Sequence, residues 1–232
     1  MPLSPGARIE RYEVVRFVGE GGMAHVWELR HTVLGTRHAL KILRSGGATH
    51  RLLREGRVQA RLDHANVVPV TDTLEVDGSP ALVMPLVDGP TLDVLLASGP
   101  VGRADALALF RGLVAGVAYI HAHSLVHRDL KPGNVLLDVA SDLVVPRVTD
   151  FGLVKSADAY RTALRVRLGS PGYAAPEQLR DAASTDQRAD LWSLGVVLVE
   201  LLTGRRDASP ADIDDPALQA LAVDLLRPDP SQ

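Results

Sequence analysis

The chain has 232 residues, 46% hydrophobic and 23% charged, enough to bury a substantial core as one large domain or two small lobes. Its formal net charge of -3, with basic residues scattered along the chain, does not recommend nucleic acid as the main partner. With no cysteine, disulfides, thiolate nucleophiles and Cys-ligated zinc are excluded, and a reducing, cytoplasmic setting is expected.

Met1 to Gly6 show no basic start followed by an apolar run, so no secretory signal is expected. The first third then reads as strands, over residues 12–18, 26–30 and 36–43, where β-branched and aromatic residues alternate with polar ones. Residues 49–62 switch to helical spacing, with Leu52, Leu53, Val58 and Leu62 apolar among arginines. Two more strands are expected over 67–74 and 81–87, separated by a turn-forming stretch over 75–80. Beyond Val87 the helical signal dominates, over 91–97, 103–123 and 185–203, the last stopped by Gly204. Pro216 opens a final helical run through Leu226, which Pro228 and Pro230 end. The longest apolar stretch, 191–202, is shorter than the ~20 residues that span a bilayer, so it reads as a buried helix and no membrane segment is expected. The fold class is α+β, with a β-rich domain over 1–86, an α-rich domain over 87–232 and a hinge near Pro85 to Gly89.

Two strings carry the chemistry. His127-Arg128-Asp129-Leu130-Lys131-Pro132-Gly133-Asn134 supplies a candidate base, a cation and an amide ligand within one loop. After a short apolar run, Asp150-Phe151-Gly152 adds a carboxylate at a strand end. Together they describe a site that holds a metal-bound phosphate and activates a hydroxyl. Upstream, Gly19-Glu20-Gly21-Gly22-Met23-Ala24 lies between two expected strands, where missing Cβ atoms let the backbone approach phosphate oxygens. Taken alone this string reads as a flexible hairpin turn; a strand on either side argues against a Rossmann loop, which needs a helix after the glycines. Lys41, at the end of an apolar strand, could snorkel to water or reach phosphates with Glu55 as its partner. His127 is read as a packed, hydrogen-bonded imidazole, and His121 and His123 are assigned to packing or solvent.

In this order the strings resemble the catalytic core of a protein kinase. From about Tyr12 to Gly204 the chain resembles the eukaryotic-like Ser/Thr protein kinases of bacteria, with Gly21-Gly22-Met23-Ala24, Arg54-Glu55-Gly56 and Leu82-Val83-Met84 pointing to that branch. The resemblance implies a two-lobed protein-kinase fold, a β-rich N-lobe and a mainly helical C-lobe, with ATP in the cleft, Mg²⁺ as cofactor and protein Ser/Thr hydroxyls as acceptors. It implies that Asp129 takes the proton of the acceptor hydroxyl, that Lys131 neutralises charge on the transferred group, and that Asn134 and Asp150 ligate Mg²⁺. It also implies a Lys41–Glu55 pair behind a phosphate loop containing Gly19, Gly21 and Gly22. Met84, Pro85 and Val87 would border the adenine, through the C=O of Pro85 and the N–H of Val87, with Val18, Val26, Ala39 and Leu136 around the ring. Asp190 would accept backbone N–H groups of the catalytic loop, and Trp192 would be core. Lys131 after Asp129, with Gly169-Ser170-Pro171-Gly172-Tyr173 before Ala175-Pro176-Glu177, favours Ser/Thr over Tyr as acceptor.

Departures from the family pattern carry expectations of their own. The pattern continues past Asp229-Pro230, so the C-lobe is expected to be shortened, truncated at the C-terminus, with Glu177 partly exposed or paired with Arg205 or Arg206. The stretch between Gly204 and Leu218 is short for the helix that docks substrates. Gln59 stands where an apolar residue would pack toward Phe151. Arg128 before the base implies regulation by autophosphorylation in the loop after Gly152, with Thr162 as the site and Arg128 and Arg165 as phosphate partners, against a merely solvated Thr162. Ser170 reads as a structural hydroxyl. The rival classes are a pseudokinase-type nucleotide-binding scaffold and a small-molecule phosphotransferase of kinase-like fold. The presence of Lys41, Glu55, Asp129, Asn134 and Asp150 weighs against the first, and Lys131 with Ala175-Pro176-Glu177 against the second.

Overall fold

A computed structural model describes residues 3–21, 24–43, 56, 57, 59–139, 143–150, 172–180 and 185–227. The chain divides into two compact units, residues 1–64 with 68–86, and residues 65–67 with 87–232.

The first unit is a six-stranded antiparallel sheet in the order β1-β2-β3-β4-β6-β5. Its strands are β1 (Arg8–Ile9), β2 (Tyr12–Gly21), β3 (Ala24–His31), β4 (Arg37–Leu43), β5 (Asp72–Val76) and β6 (Ser79–Pro85). β2 and β3 outrun the sequence pattern because backbone pairing continues into the glycine string, through Gly19↔Val26, Glu20↔His25 and Gly21↔Ala24. β2 slips register between Val14 and Arg16 and again between Phe17 and Gly19, and the second slip leaves Val18 out of the ladder. Strand alternation gathers Tyr12, Val14, Leu29, Leu40, Leu74, Ala81 and Val83 into one core. The opposite face carries the row Val26–Lys41–Leu82 across β3, β4 and β6. Leu82 is buried there too, against Gly56; a Cβ on Gly56 would sit 2.6 Å from Leu82 Cδ2.

Asp77 and Gly78 close β5 onto β6 in a two-residue turn with both φ positive (49° and 74°) and Val76 opposite Ser79. Asp-Gly suits this geometry, in which both central residues are left-handed. The strand expected over 67–74 is found only from Asp72. Pro69 has no N–H to donate, which breaks the run, and Val67, itself part of the second unit, bridges in parallel to Val148 within that unit. Of the helix expected over 49–62, residues 56, 57 and 59 are helical and 49–55 lie outside the described residues.

The second unit contains α1 (Leu92–Ala97), α2 (Arg103–Ala122), β7 (Val135–Asp138), β8 (Val145–Val148), α3 (Pro176–Arg180), α4 (Arg188–Thr203) and α5 (Pro216–Leu225). α2 is long and apolar enough to cross a membrane by length and composition alone. Its face of Leu109, Leu113, Gly116, Val117 and Ile120 is buried within the unit, and the helix packs on β8 and α4. Gly112 and Gly116 open that face to Asn66 and Pro146: a Cβ on Gly116 would lie 2.7 Å from the Asn66 carbonyl oxygen. Asn66 in turn accepts from the N–H of Val148 (2.9 Å) and donates from Nδ2 to the Pro146 carbonyl (2.8 Å). α4 is buried along most of its length and ends at Gly204, whose φ of 67° a glycine adopts without a Cβ penalty. Between Gly204 and Pro216 the chain forms no α-helix, only a 3₁₀ turn, Pro210–Asp212, closed by a Ser209–Asp212 capping box.

Candidate active site

The loop joining α2 to β7 is held from both sides. Asp190, at the start of α4 and fully buried, accepts from the backbone N–H of His127 through Oδ2 and of Arg128 through Oδ1, each at 2.8 Å. This is the role expected of it. The imidazole of His127, also fully buried, accepts the Asp129 N–H at Nδ1 (3.2 Å) and faces the Thr149 carbonyl with Nε2 (2.9 Å). An acceptor at Nδ1 and a carbonyl opposite Nε2 make Nε2 the protonated nitrogen. His127 is therefore the packed, bonded imidazole its sequence context suggests, tying the loop to the end of β8. His121 departs from its assignment to packing or solvent: its Nε2 lies 2.8 Å from Asp190 Oδ2. The spacing from Asp190 along the chain gives no sign of that pairing, because it joins two helices. His123 Nδ1 donates to the Tyr119 carbonyl one turn back.

Two of the expected site residues converge on the carboxylate of a third, Asp129. Lys131 Nζ lies 3.1 Å from Asp129 Oδ2, and Asn134 Nδ2 donates to the same oxygen at 3.1 Å and to the Asp129 carbonyl at 2.7 Å. The Pro132–Asn134 3₁₀ turn brings Asn134 back to Asp129, and Pro132 is well suited to its first position. With Nδ2 turned to Asp129, Oδ1 is the Asn134 atom with the chemistry of a Mg²⁺ ligand. Asp150 follows β8 by two residues, linked through Thr149, whose N–H donates to the Asn134 carbonyl at 3.0 Å. One amide oxygen and one carboxylate suit Mg²⁺, which takes oxygen ligands and completes its shell with water and phosphate. Among the described residues no three His, Asp or Glu side chains cluster as a self-sufficient metal cage.

Backbone strain marks both ends of this arrangement. Arg128 (φ 65°) and Asp150 (φ 61°) are left-handed without being glycine, a conformation that costs about 1–3 kcal/mol per residue and persists where neighbours over-determine it. The Arg128 guanidinium donates to the Thr185 carbonyl through Nη2 (3.2 Å), and its Nε is buried with no hydrogen-bond partner among the described residues.

The remaining expected residues lie in both units. Lys41 is half-buried in β4, in register with Val26 and Leu82. Ala39 and Met84 pair across β4 and β6 and are buried, Val26 is half-buried, and Val18 is exposed. Gly19 and Gly21 end β2. Pro85 ends β6, where Leu86 donates its N–H to the Arg37 carbonyl at 3.4 Å. Val87 and Leu136 belong to the second unit; Leu136 bridges to Thr91, whose neighbour Pro90 accepts the Leu137 N–H at 2.9 Å. Gly22, Glu55, Phe151, Gly152, Thr162, Arg165 and Ser170 lie outside the described residues.

Glu177 is partly exposed, the first of its two expected states. Arg205 instead faces Asp207 and Asp212, and Arg206 lies over the Tyr173 ring, 5.3 Å from its centre. Gln59 is buried, and Trp192 is half-buried rather than core. Two groups escaped the sequence reading. Gln178, in α3, donates to the Arg128 carbonyl and accepts the Ala175 N–H, both at 3.0 Å. Tyr173 donates to buried Glu200, and its hydroxyl pKa is pushed up by burial and by that carboxylate. Beside Lys131, Gly133, Asp93, Tyr173, Glu200 and Arg206 line a cavity of about 390 Å³.

The sequence pattern of the protein kinase domain matches residues 12–222. The chain belongs to the protein kinase domain family. It is 39% identical to the DNA damage-responsive serine/threonine-protein kinase RqkA of Deinococcus radiodurans, over 99% of this chain and 35% of that protein. A crystal structure of the PknI kinase domain of Mycobacterium tuberculosis, a double mutant, matches with a TM-score of 0.77 at 28% identity, over 100% of this chain and 93% of that one. Rad53 residues 1–466 in complex with AMP-PNP match with a TM-score of 0.77 at 26% identity, over 96% of this chain and 62% of that one. The fold is the two-lobed protein-kinase fold, with a β-rich first lobe and a mainly helical second lobe. The chain spans about a third of the length of RqkA and of two further bacterial relatives it matches.

Proposed function

We propose that the chain is a serine/threonine protein kinase that transfers the γ-phosphoryl group of ATP to a protein hydroxyl. The carrying observation is the Asp129 carboxylate, held by Lys131 and Asn134 on a loop that Asp190 and His127 pin. Asp129 accepts the hydroxyl proton as the new O–P bond forms and the bond to ADP breaks. Lys131, already beside Asp129, offsets negative charge on the phosphoryl group in transit. Asn134 and Asp150 are the residues that would hold Mg²⁺, which when bound neutralises phosphate oxygens.

In this reading residues 1–86 form the N-lobe and 87–232 the C-lobe. Gly19, Gly21 and Gly22 cover the phosphates, and Lys41 with Glu55 orients them. Met84, Pro85 and Val87 border the adenine, with Val18, Val26, Ala39 and Leu136 around it. The match to a kinase that binds AMP-PNP supports ATP as the donor, and an ATP donor favours a cytoplasmic reaction. Lys131 after Asp129, with the Ala175-Pro176-Glu177 loop, favours a protein acceptor over a small molecule. Autophosphorylation at Thr162 fits the buried Arg128 Nε, which a phosphate oxygen could complete. The test is transfer from radiolabelled Mg-ATP to a generic acceptor protein by the native chain and by Asp129→Asn. Equal transfer by both removes Asp129 from its role. ATP binding without transfer by either is the outcome of a nucleotide-binding scaffold.

A further inference from the structure

We infer that Gln178 is a positioning residue that fixes the strained peptide carrying Asp129, an inference that rests on the kinase reading above. Arg128, immediately before Asp129, has a φ of 65°, so its peptide groups must be held from outside. Its N–H is held by Asp190 (2.8 Å), and the Asp129 N–H and C=O are held by His127 (3.2 Å) and Asn134 (2.7 Å). The Arg128 C=O, the group whose orientation sets the plane of the peptide leading into Asp129, is held by Gln178 Nε2 at 3.0 Å. Asp190 belongs to α4, and His127 and Asn134 to the loop itself. Gln178 is the anchor that α3 contributes.

The chemistry calls for an amide. Gln178 is buried, at 4% exposure, between a carbonyl that needs a donor and the Ala175 N–H that needs an acceptor. A neutral side chain of this length with both functions satisfies the two groups together. The bond to Ala175 anchors the side chain to the start of its own helix and leaves its amino group aimed at the Arg128 carbonyl. Glutamate has the same shape and keeps an acceptor for the Ala175 N–H, but it sets a carboxylate oxygen against the Arg128 carbonyl. Gln178→Glu therefore keeps the anchor and breaks the clamp.

The experiment compares the native chain with Gln178→Glu and Gln178→Ala, using steady-state transfer from Mg-ATP, thermal unfolding and hydrogen–deuterium exchange over residues 127–134. A lost positioning contact of this kind is expected to lower kcat about 10-fold or more while KM for ATP stays within about two-fold. Exchange over 127–134 is expected to quicken by about five-fold or more in Gln178→Glu, with the other helices of the unit protected as before. A Gln178→Glu kcat within about two-fold of native, or a loss confined to KM, overturns the inference. A native chain that transfers no phosphate sinks the kinase reading instead, and exchange then decides the clamp: unchanged protection of 127–134 in Gln178→Glu overturns it. If Gln178→Ala unfolds, the same two criteria are read on Gln178→Glu.

Discussion

Asn134 grips Asp129 twice through one nitrogen, at the carbonyl (2.7 Å) and at the carboxylate (3.1 Å). One side chain thus sets both the backbone position of Asp129 and the direction its carboxylate faces. Asn134→Ala removes both bonds and leaves a carbonyl short of a partner, a change worth about 1–3 kcal/mol of stability. It also removes a proposed Mg²⁺ ligand. The expected result is a lower midpoint in urea together with a higher Mg²⁺ concentration for half-maximal transfer. An unaltered Mg²⁺ dependence would leave Asn134 a purely structural residue.

Loss of the Asp190 carboxylate should destabilise the second unit strongly. It is fully buried, holds two backbone N–H groups and faces His121 Nε2. Asp190→Ala strands all three donors. Breaking a buried charged network of this kind costs about 3–5 kcal/mol, so denaturant unfolding should show a large drop in midpoint. A drop under about 1 kcal/mol, the scale of an exposed pair, would mean that the loop is held by other means.

Gly116→Ala sets two effects against each other. In a helix interior the exchange gains about 1 kcal/mol in propensity. Here the new Cβ would meet the backbone oxygen of Asn66 at 2.7 Å, and a backbone atom cannot swing aside as a flexible side chain would. Overpacking costs about 1–3 kcal/mol and should win. A thermal midpoint that rises in Gly116→Ala would show that Asn66 yields.

The first unit should lose stability on acidification in two steps. Burial, followed by the neighbouring His31, lowers the pKa of His38 below the ordinary histidine value. The folded unit therefore disfavours the imidazolium, and the unfolded chain takes the proton first. Stability is full above about pH 6.5, the ordinary value, and declines as pH falls from there toward the lower folded value. At lower pH Glu28 follows. The hydrogen bond from Arg37 lowers its pKa against the opposing effect of burial, with Arg16 adding to the same side. Its contribution is present above the ordinary carboxylate value of about 4.3 and is lost as pH falls through the folded value. Because both arginines are well exposed, Glu28→Gln should cost about 1–3 kcal/mol at pH 7, less than a wholly buried pair. His38→Gln should flatten the decline of the thermal midpoint between pH 7.5 and 5.5; an unchanged decline would assign it to another group.

Elements with strong local signals were legible in the sequence. α2 and α5 lie within one residue of their expected ends, because Gly102, Pro216 and the apolar spacing speak locally. Residues 127–134 announced that Asp129, Lys131 and Asn134 belong together, and they sit within hydrogen-bonding distance. What was not legible depends on distant partners. The short β7 and β8 owe their pairing to each other and to Asn66, some 80 residues before Pro146, and four-residue strands give too little alternation to recognise. α3 is one turn long. His121, Gln178 and Glu28 look like ordinary polar residues until folding brings Asp190, the Arg128 carbonyl, and Arg16 with Arg37 against them.

Asn66 bears on how the protein can be dissected. The tripeptide 65–67 counts with the helical unit, although its neighbours on both sides count with the sheet. A cut after Leu86, which looks like the natural place to separate the halves, would leave behind the peptide that caps Val148 and fills the gap over Gly112 and Gly116. A fragment beginning at residue 87 would carry an open seam along its longest helix, so the two parts are better produced as one polypeptide than as autonomous modules.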